Sequence, residues 1–195
     1  MNDNENERLI LFSDAVIAIT ITLLVLELRL PGAAEEMSDT QLWAALVGIV
    51  PNFLAYILSF IVIALFWTVH RTSFGRIKRS DSRLIWLNIA FLMAIGLMPF
   101  VTAILAENGG TVGTSIYAGL LAIVSFLLGS IGIYARLAGL ADKRENERPN
   151  WTAYLDALVF VSSIGVAFYN AELAKYMWLL LIPAGMWSRY AGRKR

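Results

Sequence analysis

The sequence contains no cysteine and a single histidine, His70, and only 16% of its residues are charged. Without cysteine it has no disulfide, no thiolate metal site and no cysteine nucleophile, and one imidazole is too few for a zinc or di-iron centre. The 16 basic and 15 acidic residues nearly cancel, so no net field attracts a polyanion such as a nucleic acid. We therefore expect no cofactor, no nucleic-acid partner and no enzyme activity.

Apolar residues make up 58% of the 195 residues, and the mean hydropathy is +0.64. A soluble domain is about 45–50% apolar and roughly a quarter charged, so both values depart in the same direction. Six stretches are long and apolar enough to cross about 30 Å of hydrocarbon as helices. Their bounds are 9–30, 42–70, 84–105, 114–140, 151–169 and 173–190. The sequence therefore predicts an all-α integral membrane protein with one six-helix domain over residues 1–195.

Lysine and arginine fall almost entirely on one side of this predicted topology. With six spans, all 16 of them except Arg29 and Lys175 lie near the two termini or in or beside the second and fourth loops. Basic loops stay in the cytoplasm. We therefore expect a multi-pass protein of the cell membrane, embedded in the lipid bilayer, with both termini cytoplasmic.

The first predicted span carries a carboxylate close to one end. Asp14 lies about five residues, or about 8 Å, inside the apolar run, where a charge needs donors and is a functional candidate. It either caps and anchors the helix or handles ions or protons, and both interpretations stay open. We expect His70 to donate a hydrogen bond to Asp14, with Asn88 of the third span at a similar depth.

Beyond this acid the first span carries a stripe of residues at helical spacing. Its members are Ala15, Ile19, Thr22 and Leu26, with Leu23 beside them. Such a stripe is typical of helix packing in a membrane, and it also permits a pore lining. Glu27, at the outer end of the span, either concentrates cations there or merely solvates that end.

A signature-like sequence opens the first span, and a tryptophan–histidine pair ends the second. These residues are Arg8, Phe12, Ser13 and Asp14, and Trp67 and His70. They resemble the signature of the endolysosomal transmembrane potassium channel family and its bacterial single-repeat relatives, over essentially the whole chain. The resemblance implies a cation channel that lacks a carbonyl-lined filter and is lined by the first helix of each six-span unit. With one copy of the signature, it implies a homotetramer.

The resemblance also implies a role for each residue of the stripe. By position after the signature aspartate, Ile19 would form the narrowest hydrophobic ring, with further rings at Leu23 and Leu26. Thr22 would supply hydroxyls that favour potassium over sodium, while Ala18 replaces a serine that animal members can offer. The implied function is a weakly to moderately selective, leak-like channel for potassium and other monovalent cations, which bind only transiently.

A second interpretation belongs to a different functional class. A proton-coupled transporter or proton leak pathway would use Asp14 and His70 as proton carriers. Transporters usually contain internal repeats and broken helices around a midplane site. Pro51 and Pro99 do not occupy corresponding positions in two halves, so the pattern favours the channel. In that interpretation the signature residues, with Trp67, His70 and Asn88, anchor each pore helix.

Overall fold

The structure is a computed structural model that describes residues 3–30, 37–141 and 151–178, and these are almost entirely helical. The elements are α1 (Asp3–Leu23) with a 3-10 continuation (Leu24–Glu27), α2 (Asp39–Gly48), α3 (Val50–Phe74), α4 (Ser82–Gly96), α5 (Met98–Glu107), α6 (Thr111–Leu137), α7 (Trp151–Tyr169) and α8 (171–178). In these ranges four helical segments are long and apolar enough to cross a membrane: Asn6–Glu27, Val50–Phe74, Ser82–Glu107 and Thr111–Leu137. Ala153–Tyr169 is a shorter apolar helix.

Two of the predicted spans are divided near a proline. The stretch 42–70 becomes α2 and α3, which meet at Ile49, and 84–105 becomes α4 and α5, which meet at Leu97. Pro51 and Pro99 lie in the first turn of the second helix of each pair, where the missing N–H costs no helical hydrogen bond. The predicted helix at 151–169 has the bounds of α7, whereas 173–190 lies mostly outside the described residues.

A continuous apolar core joins α1 to α3, α4, α5 and α6. Its largest fully buried side chains include Tyr117, Phe74, Phe91, Ile63 and Leu121. Because lipid tails are as apolar as these side chains, packing contacts and hydrogen bonds, rather than removal from water, hold the helices together. The polar pairs inside this core therefore matter for how each helix is placed.

One such group of hydroxyls lies where α3, α5 and α6 meet. The Ser59 Oγ is 3.0 Å from the Tyr117 hydroxyl and 2.7 Å from the Thr102 Oγ1. The Tyr117 ring stacks on Trp178 of α8, with the centroids 5.1 Å apart. The Trp178 Nε1 in turn donates to the Ser163 Oγ of α7 at 2.9 Å. These hydrogen bonds link α5, which follows the break at Leu97, to α3 and α6.

Helix α7 packs closely on α6 at a glycine. A Cβ atom added to Gly129 would lie 2.8 Å from the Cε2 of Tyr154, which is too close for two carbon atoms. The Tyr154 ring also meets Phe126 edge-on, with centroids 5.7 Å apart and an interplanar angle of 82°, a favourable aromatic geometry. The absence of a side chain at Gly129 thus allows the two helices to approach.

We expect Gly129→Ala to lower the thermal stability of the purified protein, because the Tyr154 ring of α7 must leave its position against α6. The matched control is Gly119→Ala on the same helix, where an added Cβ meets nothing within 4 Å. Alanine is favoured over glycine in a helix by about 1 kcal/mol, so the control should be neutral or more stable. Near-UV circular dichroism during heating in detergent measures both. Equal melting temperatures for the two variants would contradict this account of the contact.

The loop between α3 and α4 is fixed to the end of α6. Ile77 forms an isolated antiparallel bridge with Ala141, and the Lys78 N–H donates to the Leu140 carbonyl at 2.9 Å. Gly139, whose φ of +68° suits a residue without a side chain, completes the turn after α6. These main-chain bonds make the loop part of the folded core.

The same loop ends in a cap that again contacts α6. The Asp81 carboxylate accepts the Leu84 N–H at 2.8 Å and also the hydroxyl of Tyr134. The bond from Tyr134 and then the bond from Leu84 hold the pKa of Asp81 below its ordinary value. Aspartate before the first turn is a preferred helix start, so the loop and the beginning of α4 are placed together.

Candidate functional site

The first helix has one buried face and one exposed face. Ile17, Thr20 and Leu24 are at most 3% exposed, whereas Ile19 is 58% and Leu26 54% exposed. The whole stripe identified in the sequence lies on the exposed face: Ala15, Ile19, Thr22, Leu23 and Leu26. Within the described chain this face has no helix packed over it, so a surface of mixed isoleucine, leucine, alanine and threonine is left uncovered.

On the buried face, Ser13 begins a ladder of hydrogen bonds that crosses to α4 and α3. The Ser13 hydroxyl donates to the Leu9 carbonyl at 2.8 Å and accepts the Asn88 Nδ2 at 2.8 Å. The Asn88 Oδ1 lies 2.8 Å from the His70 Nε2. Because an amide oxygen can only accept, the proton is on Nε2 of His70. Ser13, His70 and Asn88 are all fully buried.

Asp14 takes a different partner from the one predicted. Its Oδ1 accepts a 2.7 Å hydrogen bond from the Trp67 Nε1, so the predicted bond from His70 to Asp14 is wrong. Neighbouring residues of an α-helix point about 100° apart, which turns Ser13 towards Asn88 and Asp14 towards Trp67. The expected polar link between the first three spans is present, but its first-helix member in the buried ladder is Ser13.

The His70 ring is held as a fixed hydrogen-bond donor. It stacks against Phe74 at 4.4 Å and against Phe91 at 5.0 Å between ring centroids. Its Nδ1 is buried and has no hydrogen-bond partner among the described residues. Aromatic rings therefore cover the imidazole where a proton relay would need polar contacts, and this arrangement favours the anchoring role over proton transfer between His70 and Asp14.

Of the two threonines in α1, only Thr22 lies on the exposed face. Its hydroxyl donates to the Ile19 carbonyl at 2.8 Å, which uses the proton and leaves the oxygen lone pairs available. Thr20 makes the same kind of bond, to the Val16 carbonyl at 2.9 Å, but it is buried. Chemically, the stripe from Ala15 to Leu26 therefore offers apolar side chains and one hydroxyl acceptor.

The outer end of the first helix is wound more tightly than the rest. After Leu23 the chain continues as a 3-10 helix to Glu27, and the Arg29 Nε donates to the Leu26 carbonyl at 3.0 Å. A 3-10 helix turns by about 120° per residue instead of about 100°. Leu26 is therefore rotated relative to a regular α-helical stripe, yet it stays exposed, and Glu27 follows it at the end of the turn.

A second anchor of the first helix has little signal in the sequence. The Asn6 Nδ2 donates to the Ile77 carbonyl at 2.8 Å, and the Ser80 hydroxyl donates to the Asn6 Oδ1 at 2.8 Å. An asparagine before an apolar run is common at helix starts in general, so its sequence position does not reveal these partners. In residues 3–30, 37–141 and 151–178, no three histidine or acidic side chains are grouped as metal ligands would be.

The first helix and its anchoring helices coincide with the region recognised by a family model. The model described as "Endosomal/lysosomal potassium channel TMEM175" matches residues 8–99. A protein named as a potassium channel from Chryseobacterium sp. (strain P1-3) is 32% identical over 177 residues, which cover 86% of this chain and 85% of that relative. The chain belongs to the TMEM175 family. Membership confirms the family predicted from the signature.

This TMEM175 family member is also similar to a solved channel structure and to a vertebrate member of the family. A crystal structure titled as a lysosomal potassium-selective channel TMEM175 homolog from Chamaesiphon minutus matches with a TM-score of 0.84 and 26% identity, covering 95% of this chain and 98% of that one. The chicken protein named as an endosomal/lysosomal proton channel TMEM175 is 37% identical over 106 residues, which are 52% of this chain and 21% of that protein. The all-helical channel fold is confirmed, and relatives that are channels agree with the expectation of no enzyme activity.

Proposed function

We propose that this chain forms a potassium-permeable, leak-like cation channel, as a homotetramer in which the exposed face of α1 lines the pore. The observation that carries the proposal is that face itself. Ala15 and Ala18 are small enough for copies of the helix to approach an axis, and Thr22 gives the same face a hydroxyl oxygen whose lone pairs can meet an ion. The relatives named as potassium channels support the same assignment.

Ile19 forms the narrowest point of the proposed pore. Four isoleucine side chains around an axis make a short apolar ring, from which water and ions are excluded by dewetting. Leu23 and Leu26 add further rings on the outer side. Conduction needs only a small widening or rotation of these rings, because a partly hydrated potassium ion passes more easily than one that keeps its full shell.

Thr22 lies one turn from Ile19 and supplies the proposed preference for potassium. Its hydroxyl oxygen replaces part of the water shell that an ion loses near the ring. Potassium gives up water at a lower cost than sodium, so a few weak oxygen ligands favour it. Ala18, which adds no oxygen, keeps this preference weak to moderate.

We expect Thr22→Val, which removes the hydroxyl but keeps the shape, to lower the potassium-to-sodium permeability ratio by about two- to fivefold, or about 0.4–1 kcal/mol. Reversal potentials under bi-ionic conditions measure the ratio. The matched control is Thr20→Val, on the buried face of the same helix, which should leave the ratio unchanged. An unaltered reversal potential in Thr22→Val would remove this residue from the selectivity mechanism.

The proposed topology has six spans, with both termini cytoplasmic and the protein in the cell membrane. The distribution of lysine and arginine supports it, since only Arg29 and Lys175 of the 16 fall on the outer side. In this arrangement the N-terminal end of α1, which carries Asn6 and Asp14, faces the cytoplasm. Glu27 lies at the outer mouth, where its carboxylate raises the local cation concentration.

Proton leakage through Asp14 is the second candidate, because a vertebrate relative is named as a proton channel. The carboxylate lies beside a cleft of about 660 Å³ at the inner end of α1, so water reaches it. Its partner, however, is the Trp67 N–H, a donor that neither gains nor loses charge at ordinary pH. We therefore assign Asp14 to anchoring, with His70 as part of the separate ladder.

Flux through the purified protein in liposomes tests the two candidates against each other. A potassium gradient without valinomycin should generate a dye-reported potential, with sodium and proton gradients and protein-free liposomes as controls. Asp14→Asn, which keeps an oxygen for Trp67 but cannot carry a proton, should retain the potassium flux. Flux that requires a proton gradient and disappears in Asp14→Asn would establish the proton pathway instead, and no flux from the native chain would overturn both.

A further inference from the structure

We infer that Asn6 is a positioning residue for the pore gate: through it, the α3–α4 loop sets the tilt and rotation of α1. The inference rests on the proposed function, in which α1 carries the Ile19 ring. It concerns a residue that touches no ion and lies outside the match to the family model, which begins at residue 8.

Both polar ends of the Asn6 side chain are used. The amide nitrogen donates to the Ile77 carbonyl and the amide oxygen accepts from Ser80, each at 2.8 Å. Ile77 and Ser80 are themselves buried, at 4% and 6% exposure. An amide that bridges two groups from loop residues three positions apart fixes direction as well as distance. Asn6 therefore joins α1 to the loop as a two-point contact.

The loop that receives Asn6 is tied to a different part of the fold. The Lys78 N–H is bonded to the Leu140 carbonyl at 2.9 Å, and Ile77 is bridged to Ala141. Farther along, Asp81 binds the hydroxyl of Tyr134. The loop therefore fixes this end of α1 relative to α6, and not to α3 alone. Helix α6 itself packs on α4 and α7.

Packing is weak where this contact acts. The cleft of about 660 Å³ lies between the first turns of α1, the end of α3 and the loop, lined among others by Asn6, Asp14, Trp67 and Ile77. Side chains that line an open cleft give α1 little steric support on that side. The hydrogen bonds of Asn6 and of Asp14, at the two ends of the cleft, therefore hold the helix.

Asn6 and Ser13 are seven residues apart, so they lie on the same face and about 10 Å apart along the axis. One attachment point leaves a helix free to tilt, whereas two on one face remove most of that freedom. Ile19 lies about 20 Å from Asn6 along the same stiff rod. With a side chain about 5 Å from the axis, a rotation of about 20° moves its end by roughly 2 Å. A movement of that size changes the width of a hydrophobic ring.

The test compares Asn6→Ala, Ser80→Ala and the double variant with Asn108→Ala, an exposed asparagine at the opposite end of the bundle. Liposome flux reports the gate. Because the chain has no cysteine, single cysteines at Ala15, Ala18 and Thr22 report rotation through their relative rates of thiol modification. The oligomer peak on size-exclusion chromatography reports assembly.

We expect Asn6→Ala to change basal flux several-fold and to alter the relative modification rates, with an intact oligomer. Ser80→Ala should change flux and labelling in the same direction but by less. The double variant should have no larger effect than Asn6→Ala, since the bond that Ser80→Ala removes is also lost in Asn6→Ala. Asn108→Ala should match the native chain.

Native flux and native modification rates in an assembled Asn6→Ala protein would overturn the inference. If Asn6→Ala does not assemble, Ser80→Ala decides in the same way, because it removes one bond and leaves the amide bonded to Ile77. Modification rates keep this result separate from the proposed function. A native chain without potassium flux overturns the channel, while an unchanged labelling pattern overturns only the role of Asn6.

Discussion

Replacing Ile19 with asparagine is expected to raise potassium flux by about tenfold or more. Such a change needs only about 1.4 kcal/mol less in the barrier. In the proposed pore, four amides stand where four isoleucines exclude water, and each amide binds water and thereby removes the dewetted zone. Because Ile19 is exposed within the single chain, the substitution disturbs no buried packing. Single-channel recording and liposome flux both measure the effect.

The isomeric variant Ile19→Leu is the control for this prediction. It keeps the volume and the apolar character of the ring, so flux should stay close to that of the native chain. Equal flux for Ile19→Asn and Ile19→Leu would show that the constriction lies elsewhere, and Leu23 would be the next position to examine.

Replacing Asn88 with leucine is expected to have the largest effect on stability. The change leaves the His70 N–H and the Ser13 oxygen without their partner in a fully buried site. An unsatisfied buried group costs about 1–3 kcal/mol, although bonds between membrane helices average less. Two such groups together should cost about 2–4 kcal/mol. Heating of the purified protein, followed by size-exclusion chromatography, should show loss of the native peak at a lower temperature than for the unchanged chain.

A conservative control distinguishes loss of the ladder from loss of any hydroxyl or amide. Ser162→Ala removes an exposed hydroxyl that bonds only within its own helix, to the Val159 carbonyl, so the melting temperature should hardly change. If Asn88→Leu melted together with Ser162→Ala, the ladder would not be what holds α1 against α3 and α4.

Helices and exposed faces could be predicted from the sequence because they follow from local patterns. The stripe from Ala15 to Leu26 needs only the helical period, and α7 was delimited correctly by its apolar run. The two breaks depended on Pro51 and Pro99, whose effect on a membrane span is decided by the surrounding helices. Single-sequence patterns therefore predicted two continuous spans where there are four helices.

Hydrogen-bond partners could not be predicted in the same way. Ser13 and Asp14 share a depth with Trp67, His70 and Asn88, but which pairs form depends on how each helix is rotated. Depth alone suggested a hydrogen bond between Asp14 and His70. The rotation of the first helix instead directs Asp14 to Trp67, and His70 bonds to Asn88. The contact of Asn6 with the 77–80 loop was beyond reach, because it joins segments about seventy residues apart.

The hydrogen bond from Thr22 back to the Ile19 carbonyl bears on which sign of charge the proposed pore admits. An anion needs N–H or O–H groups to replace its hydration shell, and this threonine has already given its only hydroxyl proton to the helix. The other residues of the stripe, Ala15, Ile19, Leu23 and Leu26, carry only hydrocarbon side chains. Chloride would thus lose water and gain nothing, while a cation finds oxygen lone pairs. Charge discrimination in this pore then does not rest on the carboxylates of Glu27 alone, and a potassium chloride gradient should give a reversal potential close to that of potassium alone.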